Sequence, residues 1–89
     1  MISIKFPCTQ EAAECIQEIA TNMMSLFNIS MEEAAGRINK FWGANSFVER
    51  LDLEVLFHET EEYWAKHIYY SPEQMWWLSE EGLRPRPYP

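Results

Sequence analysis

Residues 30–43 have the sequence SMEEAAGRINKFWG, which contains the clearest helix start in the chain. The segment Ser30-Met31-Glu32-Glu33 is a capping box. In it the serine hydroxyl accepts a hydrogen bond from a backbone N–H, and the Glu33 side chain reaches back to the backbone N–H of the serine. Apolar residues then recur three or four positions apart, and they are Met31, Ala34, Ala35, Ile38, Phe41 and Trp42. Because Gly43 is a typical helix stop, the pattern predicts an amphipathic helix that ends there.

Similar signals predict helices on both sides of this segment. Thr9 is a cap for a helix that runs to about Phe27, and Asn28 suits a left-handed exit from it. Thr60 is a cap for a further helix through Tyr70, because acidic residues follow it at the positive end of the helix dipole. We expect the first two helices to be long and antiparallel and the Thr60 helix to be rich in aromatic residues.

The C-terminal segment contains its own signals for the start and the end of a helix. Residues 71–74, SPEQ, combine a cap, a proline at the first helical position and a glutamine at the third, and they predict a short helix that ends at Gly82. Residues 83–89, LRPRPYP, predict an extended polyproline-like tail. Since the rest of the chain is strongly acidic, we expect this cationic tail to fold back, with an arginine stacked on a tryptophan or paired with a glutamate.

Residues 46–58 are compatible with two structures. Ser46-Phe47-Val48-Glu49 matches a second capping box, and Phe47, Leu51 and Val55 have helical spacing. The same region also alternates like a half-buried strand at Leu51, Leu53, Val55 and Phe57, and the N-terminus alternates similarly at Ile2, Ile4 and Phe6. We favour a helix or an irregular turn for residues 46–58.

These elements predict a mainly α fold. We expect one small helical domain, residues 1–82, built as a bundle of three to four helices, followed by the Pro-rich tail, residues 83–89. The alternative is an α+β fold with a minor two-stranded pairing.

Composition and charge exclude several classes of function. Seven Lys and Arg against fourteen Asp and Glu give a net charge of −7, which argues against nucleic-acid and anionic-membrane binding, because phosphate groups must be met by clustered cations. The first residues lack the apolar core of a secretory signal, so we expect a cytoplasmic protein. Cys8 and Cys15 are expected to be reduced, with a bridge or redox switch as the alternative.

Groupings of catalytic residues are sparse. The polar stretch at residues 58–62 suggests a metal site or enzyme that uses His58, Glu59, Glu62 and His67. The two histidines lie nine positions apart, however, and the acids fit the first turn of a capped helix. No Gly-rich phosphate loop or nucleophile elbow is present. We therefore expect neither an enzyme nor a bound cofactor.

Aromatic residues are concentrated in the second half of the chain. Ten of the thirteen lie between Phe41 and Trp77. The neighbouring pairs Tyr69-Tyr70 and Trp76-Trp77 point about 100° apart on a helix, so both members of a pair cannot face the core. Since tryptophan and tyrosine dominate binding hot spots, this half of the chain is a candidate interface. The predicted partner-binding residues are Asp52, Glu54, Glu61 and Glu62 for steering and Trp64, Tyr69, Tyr70, Trp76 and Trp77 for anchoring.

Three stretches carry a resemblance. Residues 62–70, EYWAKHIYY, residues 32–39, EEAAGRIN, and the closing residues 86–89, RPYP, resemble segments of small, functionally uncharacterised bacterial proteins. Proteins of this kind include immunity-like partners of secreted toxins, and the resemblance implies that role without assigning any residue to it.

The sequence therefore favours an acidic protein-binding module. Its most concrete form is an immunity-like inhibitor of a basic protein partner, in which negative charge steers association and aromatic residues hold the complex. The alternatives are a structural homodimer whose surplus aromatic residues pair across a two-fold axis and the metal protein described above.

Overall fold

The computed structural model describes residues 1–70 and 74–88. Within these residues it contains four helices, α1 (Gln10–Phe27), α2 (Met31–Trp42), α3 (Arg50–His58) and α4 (Glu61–Tyr69). The only β-type pairings in these ranges are two isolated bridges, Cys8 with Phe47 and Tyr70 with Pro85. The predicted mainly α bundle is confirmed. No helix of the described part of the chain is long and apolar enough to cross a membrane.

Three of the predicted caps are present. The side-chain oxygens of Thr9, Ser30 and Thr60 each accept a hydrogen bond of 3.0–3.1 Å from the backbone N–H three residues later. Each bond satisfies one N–H that has no partner inside its helix. The carboxylate of Glu33 accepts a 2.8 Å hydrogen bond from Arg37 Nε one turn further along α2. Asn28 ends α1 in the left-handed region, at a φ of 52°.

Residues 46–58 divide into an extended part and a helix. The helix begins at Arg50, and its cap residue Glu49 makes no side-chain cap bond, so the capping box predicted at Ser46 is wrong. Phe47 instead lies against the N-terminal segment, where its N–H donates to Pro7 O at 2.8 Å and its carbonyl accepts from Thr9 N at 3.1 Å. The pairing of the N-terminus is therefore one bridge at Phe47, and the alternation at residues 51–57 belongs to a helix.

The core forms where α1 packs against both α2 and α4. Its fully buried large side chains are Ile16, Ile19, Met23, Ile38, Leu56 and Ile68. Burying such a side chain contributes about 1.5–3 kcal/mol. An aromatic cluster closes one end of this core, because the ring of Trp42 meets the rings of Phe6, Phe47 and Trp64 at centroid distances of 4.9–6.2 Å.

The sequence predicts a short helix from residue 71 to residue 82. Its first three residues, 71–73, lie outside the described part of the chain. Residues 76–78 form a turn in which Leu78 N donates to Met75 O at 2.9 Å. The predicted helix is therefore wrong over this turn. Met75 has a φ of 47°, and a residue in the left-handed region interrupts a right-handed helix.

The tail folds back on the bundle, as expected from its charge. Arg86 N donates to Tyr69 O at 2.7 Å, and the Arg86 guanidinium donates to the carbonyl oxygens of His67 and Ile68 at 3.1 and 3.0 Å. The same guanidinium lies 5.1 Å from the ring centroid of Phe41. An arginine thus stacks on an aromatic ring as predicted, but the ring belongs to a phenylalanine of α2 rather than to a tryptophan.

Gly36 provides the space for the end of the tail. A Cβ atom placed at Gly36 would overlap the hydroxyl group of Tyr88. The absence of a side chain in the middle of α2 therefore lets the Tyr88 ring approach the helix closely. The close contact that a helical glycine permits is made by the tail, and not by a neighbouring helix.

Candidate binding surface

The acidic charge is concentrated in one part of the chain. Residues 50–82 contain eight acidic and two basic residues, so this segment carries a net charge of −6 out of the total of −7. The segment comprises α3, α4 and the turn at residues 76–78. Most of the negative charge of the protein therefore belongs to one segment of the chain.

α3 presents apolar side chains to solvent on the same segment. Leu51 is 74% exposed and Val55 is 59% exposed. Because they lie four positions apart, they share one face of the helix. They line a groove of about 460 Å³. We call it the α3–α4 groove, and its other lining residues are Glu54, His58, Glu59, Tyr63 and Trp64.

The burial of one face of α3 determines which of its side chains are exposed to solvent. Leu56 is fully buried and Leu53 packs against the core, so the residues on the opposite side of this nine-residue helix face solvent. The indole Nε1 of Trp64 donates a 2.9 Å hydrogen bond to Leu56 O and joins the end of α3 to α4. The orientation of the groove therefore follows from the burial of Leu56 and from this single bond.

A second exposed apolar patch lies next to the groove. The turn after Met75 exposes Trp77, at 53%, together with Met75 and Leu78, and we call these three residues the turn patch. Ring contacts connect it to the groove, since the Tyr63 centroid lies 5.3 Å from that of Trp76, which lies 5.9 Å from that of Trp77. The two patches are therefore linked through a row of three aromatic rings.

The four predicted steering acids all lie in this acidic segment. Glu54 and Glu62 are exposed, whereas Asp52 and Glu61 are half-buried. Glu54 pairs with Arg50 Nε at 3.1 Å along α3. Surface ion pairs of this kind contribute about 0–1 kcal/mol, so they leave the acids able to exchange partners.

Lys66 is shared between two acids of the segment. Its Nζ atom lies 3.5 Å from Glu62 Oε2 and 3.2 Å from Glu80 Oε1. Burial acts to lower the pKa of Lys66, but the hydrogen bonds and charges of Glu80 and Glu62 together outweigh it and raise the pKa above its usual value. Lys66 therefore stays charged and links α4 to Glu80, which follows the turn patch in the chain.

The five predicted aromatic anchors have different surroundings. Trp77 is exposed, whereas Trp64 and Trp76 are buried and form the layer beneath the surface. Tyr69 and Tyr70 are half-buried. The Tyr69 ring stacks on Phe27 at a centroid distance of 3.7 Å and therefore serves the packing of α4 on α1.

Sequence reasoning missed Leu51 and Val55 as surface residues. Both have the spacing of a buried stripe, and nothing in their own type distinguishes an apolar residue that faces the core from one that faces solvent. The distinction depends on how α3 lies on α4, which is set by the tertiary contact between Leu56 and Trp64, eight positions apart.

The residues of the alternative metal site are not brought together. His58 Nε2 lies 3.7 Å from Glu59 Oε1 at the end of α3, whereas His67 stacks on Tyr63 with a centroid distance of 5.5 Å. In residues 1–70 and 74–88, no three His, Cys, Asp or Glu side chains are grouped so as to hold a metal ion. The pKa of His67 is lowered by burial and by the nearby Arg86 charge.

The two cysteines are free thiols. Cys15 lies half-buried on α1, and burial, with the charges of Glu61 and Glu18, raises its pKa to about 11. A thiol with such a raised pKa is a poor nucleophile at neutral pH, so Cys15 is suited to packing rather than to chemistry.

Comparisons of the chain with protein-family models, with curated protein sequences and with solved structures find no match in any of the three. The chemistry of the surface is that of an apolar groove and patch among acidic side chains.

Proposed function

We propose that the protein is a binding module that captures a basic protein partner on the α3–α4 groove and the turn patch. The observation that carries the proposal is the combination of two exposed apolar patches with a segment of the sequence, residues 50–82, that has a net charge of −6. Monomeric proteins rarely leave large apolar side chains grouped on their surface without a binding role.

The two features have separate tasks in binding. The acidic side chains accelerate the approach of a basic partner and orient it, an effect that salt screens. Leu51, Val55 and Trp77 then lose their solvent contact and supply affinity, because removal of apolar surface from water is the main source of association energy. Trp64 and Trp76 support this surface from beneath.

The most concrete form of the proposal is an immunity-like inhibitor. The charge supports it, since an acidic surface can cover the cationic active site of a nuclease. The proposal includes a cytoplasmic location, which the free thiols of Cys8 and Cys15 support, because reduced cysteines are typical of that compartment. A homodimer through the same surface has less support, since two copies would bring like charges together.

The test is affinity capture from a lysate of the source organism with three forms of the chain. They are the wild type, a groove variant with Leu51→Ser and Val55→Ser, and a control variant with Leu26→Ser and Met31→Ser. The control also removes two exposed apolar side chains, but from α1 and α2.

We expect the wild type and the control to retain the same basic protein and the groove variant to lose it. Retention by all three forms would contradict the proposed surface. Self-association of the wild type in size-exclusion chromatography, abolished only in the groove variant, would replace the basic partner with a second copy of the chain.

A further inference from the structure

The tail is bound along its backbone in a regular way. Arg84 and Arg86 each use both the N–H and the carbonyl group of their main chain. The Gln74 side chain accepts from Arg84 N at 2.8 Å and donates to Arg84 O at 2.6 Å. Tyr69 O accepts from Arg86 N at 2.7 Å, and Arg37 Nη1 donates to Arg86 O at 2.9 Å. Alternate residues of the tail are therefore held by their main chain.

The prolines of the tail fit this pattern. Pro85 and Pro87 occupy the positions between the bonded residues, and a proline has no backbone N–H to satisfy. Proline also keeps a segment extended before it binds, which lowers the entropy cost of binding. The tail thus has the features of an extended peptide ligand, in which the main chain supplies affinity and the side chains supply specificity.

The side chain of Arg86 meets the end of α4. Its guanidinium donates to the carbonyl oxygens of His67 and Ile68 at 3.1 and 3.0 Å. Both carbonyl groups lie in the last turn of α4, at the negative end of the helix dipole. The ring of Phe41, on α2, lies 5.1 Å from the same guanidinium. An arginine suits this position because its planar fork donates several hydrogen bonds and stacks on an aromatic ring.

Tyr88, two residues further on, occupies a slot on α2. The slot lies at Gly36, where a Cβ atom would overlap the Tyr88 hydroxyl group. The guanidinium of Arg37 lies 5.2 Å from the centroid of the Tyr88 ring. The missing side chain at Gly36 therefore makes room for an aromatic ring at this position of the bound segment.

Arg37 is positioned by residues outside the tail. Its Nε atom donates to Glu33 at 2.8 Å, and its guanidinium lies 4.7 Å from the ring centroid of Tyr69. Neither contact involves the tail, so Arg37 remains in place to bind a carbonyl group of another segment. A donor that is fixed in advance lowers the entropy cost of binding that segment.

The tail covers this surface only shallowly. Within residues 84–88, Arg86 is half-buried and the other four residues are exposed. A cavity of about 470 Å³ remains beside the tail, and Arg37, Phe41 and Tyr88 are among its lining residues. Segments that bury little surface open at a low free-energy cost. The surface therefore suits a ligand that exchanges, and it has room for larger side chains than those of the tail.

We propose that this surface binds an extended Arg-Pro-Tyr segment of a partner protein, and that the tail occupies it in cis as a competitor. We call it the tail site, and it consists of Gly36, Arg37, Phe41, Gln74 and the last turn of α4. A segment with arginine is also attracted by the net charge of −7. The tail site shares no residue with the α3–α4 groove or the turn patch, so the proposal is independent of the partner bound there.

The test uses short peptides and a full chain whose tail is released. This tail-released chain carries Arg86→Ala with Tyr88→Ala. The ligand is the end-blocked peptide LRPRPY, the sequence of residues 83–88, and its control is PLRYRP, which has the same composition and charge. Because a tethered tail competes at a high effective concentration, we expect LRPRPY to bind the tail-released chain at least about tenfold more tightly than the wild type. Isothermal titration calorimetry measures both affinities.

A third chain tests the tyrosine slot. It adds Gly36→Ala to the tail-released chain, where alanine favours the helix over glycine. The new methyl group occupies the slot, so we expect LRPRPY to bind about tenfold more weakly than it binds the tail-released chain. The peptide LRPRPA lacks the ring, and its lower affinity is expected to stay unchanged.

The wild type provides a measurement that does not depend on the folding of the variants, which circular dichroism checks. The Arg86 N–H donates to Tyr69 O. Titration of the isotope-labelled wild type with unlabelled LRPRPY is expected to move the NMR signal of this amide towards its position in a disordered chain, whereas PLRYRP leaves it in place. An Arg86 amide that does not respond to LRPRPY would make the tail a permanent part of the fold and overturn the proposal.

Three further results would overturn it. The first is equal affinity of LRPRPY and PLRYRP for a folded tail-released chain, because charge alone would then explain binding. The second is equal weakening of LRPRPY and LRPRPA by Gly36→Ala. The third is a wild-type dimer in size-exclusion chromatography that dissociates in the tail-released chain, because the ligand of the tail site would then be the tail of a second copy.

Discussion

The indole Nε1 atom of Trp64, on α4, donates a 2.9 Å hydrogen bond to the carbonyl oxygen of Leu56, near the end of α3. Carbonyl groups in the last turn of a helix lack partners within the helix, so this bond satisfies one of them from outside. Leu56 itself is fully buried. The bond and the buried side chain together orient α3, and they leave Leu51 and Val55 on the outer face that we propose as the binding surface.

Loss of this bond is expected to lower stability. Trp64→Phe keeps an aromatic ring but removes the donor, so the buried carbonyl of Leu56 loses its partner, and we expect the free energy of unfolding to fall by about 1–3 kcal/mol. Urea denaturation measures the change. The control Trp77→Phe alters an exposed ring and is expected to change stability by less than about 0.5 kcal/mol. Equal effects of the two substitutions would contradict the role assigned to the bond.

The contact between Gly36 and Tyr88 predicts a coupling between α2 and the tail. Alanine is favoured over glycine inside a helix by about 1 kcal/mol, so Gly36→Ala is expected to stabilise a chain that already carries Tyr88→Ala. With Tyr88 present, the new methyl group overlaps its hydroxyl, and we expect the gain to be smaller or reversed. A double-mutant cycle by thermal unfolding measures the difference. An identical gain in both backgrounds would show that the tail does not lie on Gly36.

His67 is expected to make the fold sensitive to mild acid. Burial and the charge of Arg86 lower its pKa below the ordinary value of 6.5. The unfolded chain therefore takes up a proton at a higher pH than the folded chain, and the contribution of His67 to stability is lost as the pH falls through this range. Urea denaturation at pH 7 and pH 5 is expected to show a larger loss for the wild type than for His67→Gln. Replacement of the exposed His58 by glutamine serves as the control, and this variant is expected to lose as much stability between pH 7 and pH 5 as the wild type.

Cys15 is expected to react slowly with alkylating reagents. Since its pKa is raised to about 11 from the ordinary value of 9.0, little thiolate is present at neutral pH. In a Cys8→Ala chain, the rate of iodoacetamide labelling is expected to rise with pH through about pH 10 without reaching a plateau. A plateau near pH 9 would mean that Cys15 is as accessible to water as an ordinary thiol.

The helices were predictable where their signals are local. Thr9, Ser30 and Thr60 each act within three residues of their own position, so the sequence identifies the starts of α1, α2 and α4. For residues 46–58 the sequence favoured a helix or an irregular turn, and α3 agrees with this over Arg50–His58, although the apolar pattern of residues 51–57 also fits a strand. The turn at Met75 was not foreseen, since a methionine at a φ of 47° has no sequence signal.

The candidate surface was predictable in charge but not in detail. The acids of residues 50–82 and the pair Trp76-Trp77 are visible in the sequence, and one tryptophan of that pair is exposed and the other buried. Which tryptophan faces solvent depends on Tyr63 and on the turn, which are tertiary features. The folding back of the tail followed from its charge, but its partner ring, Phe41, lies 45 positions from Arg86 in the sequence.

The central claim is that acidic residues around the groove guide a basic partner to this surface. A variant with Glu54→Lys and Glu62→Lys reverses two exposed acids of the acidic segment, whereas Glu14→Lys with Glu18→Lys makes the same change in net charge on the exposed face of α1. The two variants make the same change in net charge at different places, and the first also removes the surface ion pairs of Glu54 with Arg50 and of Glu62 with Lys66. They therefore separate a local effect from an effect of total charge.

The measurement that tests the claim most directly is the association rate of the captured partner with the wild type and these two variants, at low and high salt. Our account predicts that Glu54→Lys with Glu62→Lys slows association about tenfold at low salt, that Glu14→Lys with Glu18→Lys has a small effect, and that high salt removes the difference. Equal slowing by both variants, or a rate that does not respond to salt, would contradict it.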